Sequence, residues 1–137
     1  MSAPNSKQVK EKSGARMLAI LKDLTGKNPG ILAAQVCTSD GFEVASVEKD
    51  EESHRRLAAM VSSLHALGAA MVQEMTLGQA LNVIIEATEG KCLMMSIPGS
   101  DESLLLAAVA DPNMLFGRFH QACRATCDDL GSALKAA

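Results

Sequence analysis

From Leu57 to Gln73 the chain carries no formal charge, although the spacing of its apolar residues is helical. A helix at a protein surface ordinarily turns an apolar stripe inward and charge outward. On a wheel of about 100° per residue, Leu57, Met60, Val61, Leu64, Leu67, Met71, Val72 and Met75 fall on one side and predict a core-facing stripe. The other side holds Ala58, Ala59, Ser62, Ser63, Ala66, Ala69, Ala70 and Gln73, with charge only at Arg55, Arg56 and Glu74. An apolar back of small residues lets another helix approach closely. The plainer alternative is an alanine-rich surface helix, because Ala is the best helix former. The length of the uncharged run favours a protein contact.

The rest of the chain supplies a sheet for this helix. Met17, Leu18, Leu21 and Leu24 recur at helical spacing and predict a helix over Gly14 to Thr25, with Gly26 as its C-cap and a turn at Asn28-Pro29-Gly30. Ile31 to Thr38 and Phe42 to Val47 read as strands around Asp40-Gly41, a dipeptide suited to a type I′ turn with both central residues at positive φ. The long helix spans about Ser53 to Met75, preceded by Asp50, Glu51 and Glu52, which suit the positive end of its dipole; Gly78 marks its exit. Strands follow at Ala80 to Ala87, Cys92 to Ile97 and Ser103 to Ala110, joined by turns at Glu89-Gly90 and Pro98 to Asp101. Asp111-Pro112 opens a final helix running to about Leu134. The expected order is α-β-β-α-β-β-β-α: a flexible tail over residues 1–12, then a single domain over 13–137. The strand containing Leu81, Val83 and Ile85 has no Lys or Pro to blunt it. Placed at a sheet edge, it would be covered by a second copy of the chain.

Composition narrows the function. Aromatics are 2% of the residues, with no Trp or Tyr, which argues against base-stacking platforms. Net charge is −3, and the only basic cluster, Lys7, Lys10, Lys12 and Arg16, lies near the start; no nucleic-acid partner is expected. No segment is apolar enough over ~20 residues to cross a bilayer, so no membrane insertion is expected. Met1 to Gly14 lack the apolar stretch of an export signal, and four cysteines in such a chain read as reduced thiols. The expected location is the cytoplasm.

Chemical constellations are weak. His120, Cys123 and Cys127 share a helix side and could hold a metal, but Cys123 lies within a stripe of Phe116, Phe119, Leu130 and Leu134 and is read as core. Cys37 and Cys92 on strands are read the same way. His65 is read as partly exposed, and His54-Arg55-Arg56 as a solvated helix end that a partner's carboxylate or phosphate could meet. No Walker-type loop, dinucleotide fingerprint or nucleophile elbow occurs; Gly99-Ser100-Asp101 lacks a following Gly-Lys. No catalytic, cofactor-binding or metal residue is assigned, and no enzyme activity is expected.

Four features in order resemble the roadblock family, named for a dynein light chain and shared by bacterial regulators of small GTPases. They are Leu21-x-x-Leu24 followed by Pro29-Gly30-Ile31, Ser39-Asp40-Gly41-Phe42 at the hairpin, the Ala/Leu/Met-rich helix from Leu57, and Asp111-Pro112-Asn113 with Gly117-Arg118. The resemblance covers about residues 13–135. It implies an α+β, roadblock/profilin-like fold: a five-stranded antiparallel sheet with the middle helix on one face and two helices on the other. It further implies dimers whose middle helices pair antiparallel, and a paired-helix surface that meets a Ras-like GTPase. The dimer or partner interface is assigned to Ala58, Ser62, Ala66, Ala69, Gln73, Leu81, Val83 and Ile85, and GTPase contact to Arg55, Arg56, Ser63 and Ala59. The expected function is a non-catalytic homodimeric scaffold that binds and regulates a Ras-like small GTPase. The alternatives are a ligand-sensing or general protein-interaction domain without a GTPase partner, and a thiol or zinc enzyme built on the last helix.

Overall fold

The computed structural model describes residues 6–47, 50–101 and 103–136, and the side chains of 14–135 within those ranges. Helix α1 (Ser6–Lys27) leads into strands β1 (Ile31–Thr38) and β2 (Glu43–Val47). Helix α2 (Glu51–Glu74) follows, then β3 (Asn82–Ala87), β4 (Gly90–Ser96), β5 (Leu104–Ala110) and α3 (Phe116–Ala136). The strands form one sheet in the order β2-β1-β5-β4-β3, antiparallel at every junction. Helices α1 and α3 pack on one face and α2 on the other.

Side-chain alternation along β5 divides the core between the two faces. Leu106, Ala108 and Ala110 join Met17, Leu21, Phe119 and Leu130 beneath α1 and α3. Leu105 and Ala107 point the other way and meet Ala58 and Val61 of α2, together with Cys37 and Met94. The second core is smaller and built mostly of short side chains, so α2 rides close to the sheet. At Gly68 an added Cβ would lie 3.1 Å from Val83 Cγ2.

Several element ends differ from the sequence reading. Residues 1–5 of the expected tail lie outside the described residues. Ser6 to Lys12 instead continue α1, in a stretch that no Gly or Pro interrupts before Gly14. Gly26 lies inside α1, whose last turn is closed by Asn28: its backbone N–H and its Nδ2 both donate to Leu24 O, at 3.2 and 2.9 Å.

The first hairpin is not a type I′ turn, because Gly41 (φ 97°) takes the left-handed conformation and Asp40 does not. Gly41 N–H donates to Thr38 O and Thr38 N–H to Phe42 O, a three-residue loop with glycine at its last position. Phe42 lies outside β2 and Leu81 outside β3. The second hairpin turns at Thr88-Glu89, and Gly90 already pairs with Ala87.

Helix α2 ends at Glu74 with Met75 as its C-cap, and the chain leaves it at Thr76 rather than at Gly78. Thr76 N–H bonds Gln73 O and Leu77 N–H bonds Val72 O, with Thr76 in the left-handed region at φ 56°. That is the Schellman arrangement, with threonine where glycine is usual. Asp111-Pro112 does not open α3. Asp111 Oδ1 accepts from Asn113 N–H at 2.7 Å, a local turn, and the helix starts at Phe116.

Candidate interaction surface

Helix α2 is seated at its start by polar bonds. Asp50 caps it, Oδ1 accepting from Ser53 N–H at 2.8 Å, and these bonds to Ser53 hold the carboxyl below its usual range. Beneath its first turns lies Gln35 of β1, fully buried. Gln35 Nε2 donates to His54 O at 2.7 Å and to Ser46 Oγ at 3.1 Å. His54 Nδ1 lies 3.7 Å from Glu43 Oε2, while Gln35 Oε1 and His54 Nε2 are buried without a hydrogen-bond partner. Further along, His65 Nε2 lies 3.0 Å from Ser96 Oγ, so His65, half-buried, is tied to β4.

The buried arc of α2 matches only part of the stripe expected from hydrophobicity: Leu57, Val61, Leu64 and Val72 turn inward or lie half-buried. Ala58 and Val61 are fully buried, with Leu57 and Leu64 beside them. Met60 (56% exposed), Leu67 (63%), Met71 (68%) and Met75 (68%) were expected in the core and face outward. The reason is steric: close approach to the sheet selects small residues, so Ala58, assigned to an interface from sequence, packs into the core of its own chain. Ser62 and Ala69 are half-buried at the border of the outward face. Ala59, Ser63, Ala66, Ala70 and Gln73 are exposed, as are Arg55, Arg56 and Glu74 at the two ends. The outward face is therefore more apolar than expected, with large side chains on one flank and small ones on the other.

Two further elements extend this surface. Beside Ala59 and Ser62 sits the β1–β2 hairpin tip. A Cβ on Gly41 would lie 3.2 Å from Ser62 Oγ, and the next residue, Phe42, is 67% exposed. Past the other end of α2, Leu77 and Leu81 are exposed, and β3 is a sheet edge paired only with β4. Val83 is half-buried beneath α2, Ile85 stands on the same face and is exposed, and Ile84 is exposed on the opposite face. Sequence reasoning brought Leu81, Val83 and Ile85 to this edge and missed Met60, Leu67, Met71 and Phe42. The uncharged run pointed at the first three. Phe42 offered only its place after Asp40-Gly41.

Elsewhere the molecule shows little convergent chemistry. A groove of about 850 Å³ is open to solvent between the end of α1 and α3 and is edged by charges of both signs, including Asp23, Lys27, Arg118 and Asp129. Cys123 and Cys127 are buried in the main core, and burial pushes both thiols up to about 12. Cys37 is pushed to about 11 for the same reason. His120 stacks on Phe116 at 5.8 Å between ring centroids. Among the described residues no three His, Cys, Asp or Glu side chains gather to hold a metal, and no helix is long and apolar enough to cross a membrane.

The fold has solved counterparts. A Roadblock/LC7 domain from Streptomyces avermitilis superposes with a TM-score of 0.79 at 18% identity, covering 86% of this chain and 97% of that one. Myxococcus xanthus MglB matches with a TM-score of 0.80 at 14% identity over 89% of this chain and 97% of its own. The gliding protein MglB from Thermus thermophilus gives 0.79 at 16% identity over 91% and 93%. No curated protein sequence matches the chain. Identities this low speak for the fold alone, but the sequence itself matches the Roadblock/LC7 domain over residues 17–114, from the buried Met17 of α1 through the Asp111 turn, and the chain belongs to that family.

Proposed function

We propose that two copies of this chain form a non-catalytic, cytoplasmic scaffold that binds and regulates a Ras-like small GTPase. The observation that carries this reading is the outward face of α2. Met60, Leu67 and Met71 stand in solvent there, with no charge among the face's exposed residues from Ala59 to Gln73. Contiguous exposed apolar area of this kind marks a protein-binding surface, and unpaired sheet edges such as β3 invite a further strand. Family membership supports the GTPase as the partner, and the likeness to MglB supports the bacterial branch. A structure of MglB in a tetrameric arrangement, matched at 16% identity, supports self-association as the use of this surface. Four free cysteines fit a reducing compartment.

The test is affinity capture of the tagged protein from its native lysate, with GDP and with a non-hydrolysable GTP analogue, read by mass spectrometry. Recovery of a Ras-like GTPase mainly with the GTP analogue is the expected result. Recovery in neither state overturns the GTPase reading.

A further inference from the structure

On the sheet face opposite α2, helix α3 starts without a cap. Its first turn holds no acidic residue, and Leu115, just before it, has no side-chain oxygen to accept from the free amides. The positive end of the helix dipole is left uncompensated, and Arg118 adds a full positive charge there. Asp129 lies three turns further on at nearly the same azimuth, about 16 Å along the axis. Both side chains are exposed, and among the described residues neither has an ion-pair partner.

These two charges mark the ends of one wall of the groove between α1 and α3. Between them, on the same ridge of α3, stand only Ala122 and Ala125. Buried Leu24 of α1 lies across from them, and Leu115, 72% exposed, stands at the mouth. On the α1 wall Lys27 and Asp23 pair with each other at 3.0 Å, so the polarity of the groove comes from α3. Thr126 also lines it; this side chain is 6% exposed, and among the described residues its hydroxyl meets no hydrogen-bond partner. The groove is built in advance, because Met114 is packed against Gly30 where its end closes.

We infer that this groove docks an amphipathic helix of a second protein, with an acidic residue at the Arg118 end, a basic residue at the Asp129 end and large apolar side chains between. The site is separate from the outward face of α2 and does not rest on the GTPase reading. A volume of about 850 Å³ spread over that length takes one row of side chains, not a whole helix. The row must therefore come from the ridge of a helix whose repeat matches that of α3. A second copy's α3 would offer the right charges, but its two alanines are too short to fill the space. The large apolar residues have to come from a different chain.

The test uses the full chain and three synthetic amphipathic helices with leucines at the middle of the docking ridge. Their ridge ends carry Glu and Lys, Glu at both ends, or Lys at both ends. Affinity is read by fluorescence anisotropy, and the amide shifts of labelled protein locate the site. The natural protein should bind the mixed peptide about fivefold more tightly than either of the others at low salt, with shifts along α3 and the end of α1. D129K, at an exposed position, should instead prefer the peptide with two glutamates by a similar factor. A125W fills the groove and should bind none of the three while melting as the natural protein does. L115D supplies the missing cap, so it should raise the melting temperature and weaken the preference for glutamate at that end. Equal affinity for all three peptides, binding of none, an unchanged preference in D129K, or shifts confined to α2 would each overturn the proposal. Self-association of the natural protein that A125W abolishes would place a second copy in the groove and overturn it as well.

Discussion

Gly68 of α2 sits directly over Val83 of β3, close enough that a Cβ would come within 3.1 Å of the valine methyl. This contact locks the edge strand to the helix. Substitution G68L must push β3 outward or force Val83 from its rotamer, and overpacking of this kind costs about 2 kcal/mol. Thermal or urea unfolding should show the loss. Unchanged stability would mean that β3 moves freely relative to α2.

The outward face of α2 should separate folding from association. L67D and M71D alter side chains already in water, so stability should change by less than about 0.5 kcal/mol while dimerisation and GTPase capture are lost. By contrast L105A, directly beneath α2 and fully buried, should cost about 3 kcal/mol. A large stability loss in L67D would place Leu67 in the core and refute the surface assignment.

Thr76 takes a left-handed conformation that disfavours a β-branched residue. T76G should raise stability by roughly 0.5–1 kcal/mol, because the strain removed exceeds the added freedom of the unfolded chain. An equal or lower midpoint in denaturant would show that the threonine is held without strain.

The buried thiols predict an alkaline limit. Cys123 and Cys127 have folded values near 12 against an ordinary 9.0, so the folded state retains protons that the unfolded chain has released. Their contribution is complete below pH 9 and is lost as pH rises from there towards 12. Alkylation at neutral pH should leave both unmodified until denaturant is added. Rapid native labelling at either would contradict the burial, and C123A/C127A should still capture the partner.

Asp50 predicts the opposite limb. Its carboxyl is lowered by bonds to Ser53, so its contribution is present above the ordinary 3.8 and is lost as pH falls through the lower folded value. D50N retains an accepting oxygen for the cap and should behave nearly as the natural protein at neutral pH, whereas D50A should unfold earlier. Coincident melting curves for all three would deny the cap any role.

Element order was legible because period and punctuation changed together, as at Asn28-Pro29-Gly30 before the β-branched Ile31 run and at Pro98-Gly99 before β5. Ends were less so. Asp111-Pro112 has the chemistry of a helix start, but the Asp111 carboxylate bonds Asn113 locally and Lys91 Nζ donates to the carbonyls of Pro112 and Met114, holding a turn there instead. The interaction surface was legible as a missing charge and illegible as a face. A wheel ranks residues by hydrophobicity, whereas Ala58 and Gly68 go inward because only short side chains fit between α2 and the sheet. That displacement rotates Met60, Leu67 and Met71 into solvent.

The strand order has a consequence for how the chain reaches this state. The N-terminal hairpin and the C-terminal meander join only where β1 pairs with β5, with Ile31 opposite Ala110. That seam is the most distant pairing in sequence, and loop closure of this length slows folding. Until β5 is synthesised, α2 has half a floor and β1 an open edge. The growing chain therefore keeps its most adhesive segments unsheltered until β5 emerges, and its vulnerability to aggregation ends abruptly, when that strand slots into the centre.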